Sequence, residues 1–138
     1  MTHLTDDLQQ SIAAAFDGGT VSVTQYYLGY YVVLGIDNDF YGVEISQTDI
    51  ARNYDTAVHR AVEKLAIDML TQAAKSKIKN FEIEVKFNQE TDCFDIFADG
   101  QIVMAITYDL VVDAKAGWQW FMTGRLIYQL TKMFNKAP

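Results

Sequence analysis

The sequence has few of the residues on which catalysis and metal binding usually depend. Its 138 residues include two histidines and a single cysteine, Cys93, which excludes an intrachain disulfide and favours a cytoplasmic protein. It contains no glycine-rich phosphate loop, dinucleotide fingerprint, G-x-S-x-G elbow, H-E-x-x-H pair or paired C-x-x-C. We therefore predict no catalytic residue, no metal site and no cofactor, and an enzyme is the less favoured class.

Two groups of residues are the remaining candidates for chemistry. Asp55, His59 and Glu63 are spaced four residues apart, which suits a divalent metal, but ordinary charge pairs along a helix edge have the same spacing. We interpret His59 as a partly buried, hydrogen-bonded side chain. Cys93 lies beside Asp92 and close to Asp95, and neighbouring carboxylates disfavour the thiolate that a nucleophile needs. Neither group predicts an active site.

Proline and long apolar runs are also scarce. One proline and no low-complexity segment favour a continuously folded chain, and 138 residues with 50% hydrophobic content match one domain. The uncharged stretch 18–36 is interrupted by polar residues such as Thr20 and Gln25, so it suits strands better than a membrane span. The N-terminal residues lack the basic segment of a signal peptide, so we expect no targeting segment and no membrane partner.

Lysine and arginine are absent from the first 51 positions, and this is the most informative feature of the sequence. From Arg52 onward 11 acidic and 11 basic residues balance, so the net charge of −7 belongs to the first third of the chain. A field of one sign repels free nucleic acid and anionic lipid and attracts basic surfaces. We predict a basic protein surface as the partner, for example on a nucleic-acid-binding protein, and no direct binding of nucleic acid.

The hydrophobic pattern predicts an α+β fold. Helical spacing occurs near the N-terminus, over 55–77 with Asp55 as the N-cap, and over 113–136. Ser46 and Asp49 resemble a capping box that starts a short turn, and Asp99-Gly100 suits a type I′ hairpin. Alternating or β-rich segments predict strands over 21–24, 30–36, 40–45, 81–87, 94–98 and 101–108.

Taken in order, these elements predict an N-terminal helix (1–19) and two βββα units (20–77 and 80–137). The expected architecture is antiparallel sheet packed against two long helices, in a single domain of residues 1–138. A shift of 61 residues superimposes the strand and helix patterns of the two units, with poor sequence identity. Either a duplicated ancestor or the common physics of hairpins explains this match.

The second strand is apolar on both faces, so one face is either covered within the monomer or available as an interface. Alternation places Tyr31 and Val33 on the side opposite Val32, together with Phe40 and Glu44 of the third strand. We predict that this acidic and aromatic region binds the partner. The predicted contact residues are Tyr31, Asp37, Asp39, Phe40, Glu44 and Asp49.

The favoured function is therefore a non-catalytic acidic protein that docks on a basic protein surface, as small inhibitors from phages and other mobile elements do when they imitate nucleic-acid charge. A first alternative is a homodimeric accessory protein, because the polar side of the last helix carries aromatic residues. Its expected contacts are Trp118, Phe121, Arg125 and Tyr128. A second alternative is a small-molecule-binding or enzymatic α+β domain with a pocket lined by Trp118, Trp120 and Tyr108.

Overall fold

The computed structural model describes residues 4–16, 19–36, 38–112 and 118–134, and in the last range it describes side chains from Gly124 onward. It confirms an α+β fold with an N-terminal helix and two three-stranded antiparallel sheets. The elements are α1 (Leu4–Ala13), β1 (Thr20–Tyr26), β2 (Gly29–Ile36), β3 (Asp39–Ser46), α2 (Gln47–Arg52), α3 (Tyr54–Lys77), β4 (Ile83–Asn88), β5 (Cys93–Ala98), β6 (Gln101–Thr107), α4 (Tyr108–Val112) and α5 (Trp118–Phe134).

The chain forms two compact units. The first comprises residues 1–66 and 112–116, and the second comprises residues 67–111 and 117–138. The first unit holds β1, β2 and β3 with α1 and α2, and the second holds β4, β5 and β6 with α4 and α5, while α3 contributes residues to both. The single-domain organisation expected for residues 1–138 stays a prediction.

The first sheet has the order β1-β2-β3, and its alternation separates a buried face from an exposed one. The buried face of β2 consists of Tyr30, Val32, Leu34 and Ile36, and that of β3 of Tyr41, Val43 and Ile45. Helix α1 packs against β1 and buries Leu8, Ile12 and Phe16. The strands therefore follow the predicted faces, because a period of two assigns every second side chain to the same side of a sheet.

The second sheet has the order β4-β5-β6 and also alternates. Its hairpin between β5 and β6 turns through Asp99 and Gly100, whose φ angles of 50° and 82° are both positive, as a type I′ turn requires. This confirms the predicted turn. The register shifts between Ile96 and Phe97, so Phe97 lies opposite Ile102 while Ile96 lies opposite Met104. A bulge of this kind bends the edge strand β6 locally.

The helix starts differ in part from the predicted ones. Ser46 caps α2, and its hydroxyl accepts a hydrogen bond from the Asp49 amide at 3.1 Å, which confirms the predicted capping interaction. The predicted cap of α3 was wrong. Asn53 fills that role, because its side-chain oxygen accepts from the Thr56 amide at 3.1 Å, and Asp55 lies inside the first turn. There its carboxylate still favours the positive end of the helix dipole.

The second half of the chain corrects the predicted βββα arrangement. Tyr108 does not end a strand; it begins the five-residue helix α4, and residues 113–117 lie outside the described residues. Helix α5 covers 17 residues, from Trp118 to Phe134, so α3 with 24 residues is the one long helix among the described elements. In both halves the order is three strands, a short helix and a longer helix. The duplicated ancestor stays a hypothesis.

Candidate functional site

The exposed side of the first sheet brings together three of the six predicted contact residues, Tyr31, Phe40 and Glu44, and we refer to it as the open face. Register places Tyr31 directly opposite Glu44 on β3 and opposite Thr24 on β1, and it places Phe40 opposite Gly35. The twelve positions of the open face are Thr20, Ser22, Thr24, Tyr26, Gly29, Tyr31, Val33, Gly35, Phe40, Gly42, Glu44 and Ser46.

Two aromatic rings of the open face lie close to glycines of the neighbouring strand. A Cβ on Gly42 would lie 2.9 Å from Cζ of Tyr31, and a Cβ on Gly35 would lie 3.1 Å from Cε1 of Phe40. Tyr31 nevertheless remains 44% exposed and Phe40 70% exposed. Because the glycines have no side chain, each ring approaches the backbone of the neighbouring strand closely and is still partly exposed to solvent.

Glu44 supplies the negative charge of this surface. Its carboxylate accepts a hydrogen bond from the hydroxyl of Tyr26, which lies on β1 and reaches across β2 on the same face of the sheet. Partial burial and the nearby Glu44 carboxylate both raise the pKa of Tyr26 above its ordinary value of 10.0. Tyr26 therefore stays a neutral donor and holds the Glu44 carboxylate beside the Tyr31 ring.

The β1–β2 turn extends the open face with two further apolar side chains. Tyr27 is 86% exposed and packs edge-on against Tyr26, with ring centroids 6.0 Å apart. Leu28 is also exposed, while its carbonyl accepts a hydrogen bond from the Gln47 amide at the start of α2. The turn is therefore tied to α2 through its backbone, so its exposed side chains project from a fixed loop.

The remaining predicted contacts lie at the edges of this surface. Asp39 begins β3 next to Phe40. Glu44 lies four residues beyond Phe40 on the same strand, which is a distance of about 13 Å. Asp49 lies in the first turn of α2, and Asp37 lies outside the described residues. Within the described ranges, Asp39, Glu44 and Asp49 form no ion pair with a lysine or arginine. Their charges therefore remain available to a partner.

The second sheet shows what the same arrangement looks like when a cation is present. Glu84 on β4 lies directly opposite Phe97 on β5, as Glu44 lies opposite Tyr31. Two residues from Glu84, on the same side of β4, the Lys86 ammonium lies 5.5 Å from the Phe97 ring centroid and 3.6 Å from a Glu84 oxygen. In the first sheet the residue two positions from Glu44, beneath Tyr31, is Gly42.

The last helix is described only in part at its predicted contact residues. Arg125 and Tyr128 are exposed, Tyr128 to 67%, whereas the side chains of Trp118 and Phe121 lie outside the described set. Arg125 and Tyr128 line an open groove of about 780 Å³ between α5 and β6, with Val103, Ala105 and Gly124. The homodimer contact stays a prediction.

The candidates for chemistry have ordinary structural roles. The His59 side chain is 49% exposed, and its Nδ1 lies 2.9 Å from Oε1 of Glu63, one helical turn away. Cys93 is half-buried, with its sulfur 3.3 Å from the Thr91 carbonyl. Among the residues that the structure describes, no three His, Cys, Asp or Glu side chains gather as a metal site would require.

The predicted pocket lined by Trp118, Trp120 and Tyr108 stays a prediction, because the structure describes the side chain of Tyr108 alone among the three. The Tyr108 ring stacks on Phe94 with centroids 6.0 Å apart and contacts Phe87 edge-on at 5.8 Å, so it belongs to an aromatic cluster within the second unit. Trp118 and Trp120 have no described side chains. No helix in the described part of the chain has the length and apolar content needed to cross a membrane.

Sequence reasoning missed two residues that shape the open face, Tyr26 and Gly42. Their positions on the strands could be read from alternation, but their roles depend on the register that puts Tyr26 near Glu44 and Tyr31 over Gly42. Comparison with protein-family models, with curated proteins and with solved structures finds no match to this chain.

Proposed function

We propose that the protein is a non-catalytic binding protein whose open face docks on a basic surface of another protein. The observation that carries this proposal is the Tyr31–Glu44 pair, with Phe40 further along β3 on the same face: exposed aromatic rings and a carboxylate that has no cation of its own among the described residues. Aromatic residues that are exposed and rigid are favoured at protein interfaces, because they bury large areas while few rotamers are lost.

The charge distribution supports the same partner. The first 51 residues carry seven acids and no lysine or arginine, and the described acids near the open face form no internal ion pair with a lysine or arginine. A negative field of this kind increases the association rate with a positive surface and disfavours partners of like charge. A surface that normally binds nucleic acid fits these properties, because carboxylates can stand where phosphates bind. Inhibition of such a protein is the biological role that we propose.

Charge reversal on the open face tests this proposal. The double variant Asp39→Lys/Glu44→Lys should weaken binding to the partner by roughly 30-fold, about 2 kcal/mol, because two attractive contacts become repulsive. The partner would first be captured from the native host at low ionic strength. Affinity would then be measured with the purified partner over a range of salt concentrations, and the variant should show a smaller salt dependence than the unmodified protein.

The second unit provides a control with the same change in net charge. Glu82 and Glu90 are exposed and lie outside the first sheet. The double variant Glu82→Lys/Glu90→Lys should keep the affinity within about threefold, because long-range attraction alone changes little at physiological ionic strength. Equal losses in both variants, or no loss in either, would contradict the proposal that the open face makes the contact.

A further inference from the structure

Each sheet places a glutamate carboxylate opposite an aromatic ring, and among the described residues only the pair in the second sheet has a cation close to it. In the second sheet Glu84 and Phe97 lie on adjacent strands. The Lys86 ammonium lies 3.6 Å from the Glu84 carboxylate and 5.5 Å from the centroid of the Phe97 ring. A cation within about 6 Å of a ring centroid is attracted by the negative face of the ring. The chain thus contains one complete example of carboxylate, aromatic ring and cation on a sheet surface.

The first sheet has the carboxylate and the ring, but the described residues supply no cation to them. Glu44 and Tyr31 are directly opposite each other, and both are exposed. The hydroxyl end of the Tyr31 ring lies close to Gly42, and the side chain is 44% exposed to solvent. The Tyr26 hydroxyl occupies one acceptor position of the carboxylate, and a carboxylate has about four. Positions therefore remain for two further N–H donors.

We infer that Tyr31 and Glu44 form a receptor for one arginine side chain presented by the partner protein. This inference rests on the proposed function and specifies the group that the open face recognises. Arginine fits better than lysine, because the planar guanidinium can stack on a flat ring and donate two parallel hydrogen bonds to one carboxylate. Ammonium is a compact and strongly hydrated charge that offers neither planar stacking nor the fixed fork.

Titration with N-acetyl-arginine amide tests the site without the partner. Backbone amide shifts in ¹H–¹⁵N spectra should move at Tyr31, Gly42 and Glu44, with a dissociation constant on the order of 10 mM for a single stacked and hydrogen-bonded cation. N-acetyl-lysine amide should bind at least about threefold more weakly. The citrulline analogue, which keeps the shape of arginine without its charge, should cause no saturable shift at these residues.

Three variants make the test specific. Glu44→Gln should weaken the arginine amide by about tenfold, because it removes the charge-assisted hydrogen bonds. Tyr31→Leu removes the stacking surface while every charge is kept, and it should abolish the preference for arginine over lysine. Thr24→Lys places an internal cation opposite Tyr31, by analogy with Lys86, and should compete with the added ligand. Glu90→Gln is the control for Glu44→Gln and should leave the titration unchanged.

Each result supports or overturns the inference. Shifts that are equal for arginine, lysine and citrulline amides, or that persist in both Glu44→Gln and Tyr31→Leu with native spectra elsewhere, would overturn it. The proposed function fails separately, when Asp39→Lys/Glu44→Lys leaves binding to the purified partner unchanged. If charge reversal weakens binding of the partner but arginine amide binds this site no better than lysine amide, docking depends on the overall negative charge of the surface. The arginine receptor is then refuted.

Discussion

The two three-stranded sheets are built alike and differ on their exposed sides. Both have antiparallel neighbours in chain order, both are followed by a short helix and then a longer one, and both place a glutamate opposite an aromatic ring. In the second sheet Lys86, two residues after Glu84, lies close to both the ring and the carboxylate. In the first sheet the residues two positions from Glu44 in either direction are Gly42 and Ser46, and neither is a cation. This strand arrangement therefore does not by itself require the carboxylate and the ring of the first sheet to be without a cation.

The largest expected effect comes from the glycines that follow or form the hairpin turns. A Cβ on Gly29 would run into the carbonyl oxygen of Ile45 in β3, whereas a Cβ on Gly100 would meet open space at a φ of 82°. Gly29→Ala should therefore lower the free energy of unfolding by on the order of 3 kcal/mol, and Gly100→Ala by about 1 kcal/mol. Urea denaturation followed by circular dichroism would measure both, and equal losses would show that the two hairpins are packed alike.

A second prediction converts the exposed side of the second sheet into a copy of the first. Lys86→Gln removes the internal cation, so Glu84 and Phe97 should acquire weak binding of arginine amide, visible as new backbone shifts at Phe97. The free energy of unfolding should change by less than about 1 kcal/mol, because Lys86 and Glu84 are both exposed. If arginine amide causes shifts in the first sheet but none at Phe97 of the variant, Tyr31 makes a contribution to binding that Phe97 does not make.

The smallest effect concerns the proton of Tyr26. Because burial and Glu44 raise its pKa above 10.0, the protonated phenol stabilises the fold fully below about pH 10, and this contribution is lost as the pH rises through the folded pKa. Glu44→Gln removes the charge and should lower the pKa of Tyr26 without returning it to 10.0, since burial is the larger cause. Titration of the protein with selectively ¹³C-labelled tyrosine would measure the pKa of Tyr26. An unchanged pKa in the variant would show that the Glu44 charge does not affect the Tyr26 hydroxyl.

The fold was predictable where side chains alternate. Val32 and Leu34 on one side of β2, and Tyr31 with Phe40 and Glu44 on the other, follow from a period of two, and the structure confirms these faces. The short helix α4 was not predicted, because five residues are too few to show a helical period. The cap at Asn53 was missed because Asp55 is an equally suitable residue two positions later.

The candidate site was predictable as a surface but not as a geometry. The absence of lysine and arginine before Arg52 is visible in composition, and so is the cluster of tyrosines. That Tyr31 rests on Gly42 and faces Glu44 depends on the pairing of β2 with β3, and a shift of that register by one residue would send these side chains to the buried face. The Tyr26 hydrogen bond depends further on the pairing of β1 with β2.

The position of the Tyr31 ring on bare backbone has a consequence for the speed and cost of recognition. Because Gly42 has no side chain, the Tyr31 ring lies close against the backbone of β3, and it has less rotational freedom to lose when a ligand arrives. Association would then need no rearrangement of the receiving surface, so lifetimes of complexes should vary among ligands far more than their rates of capture.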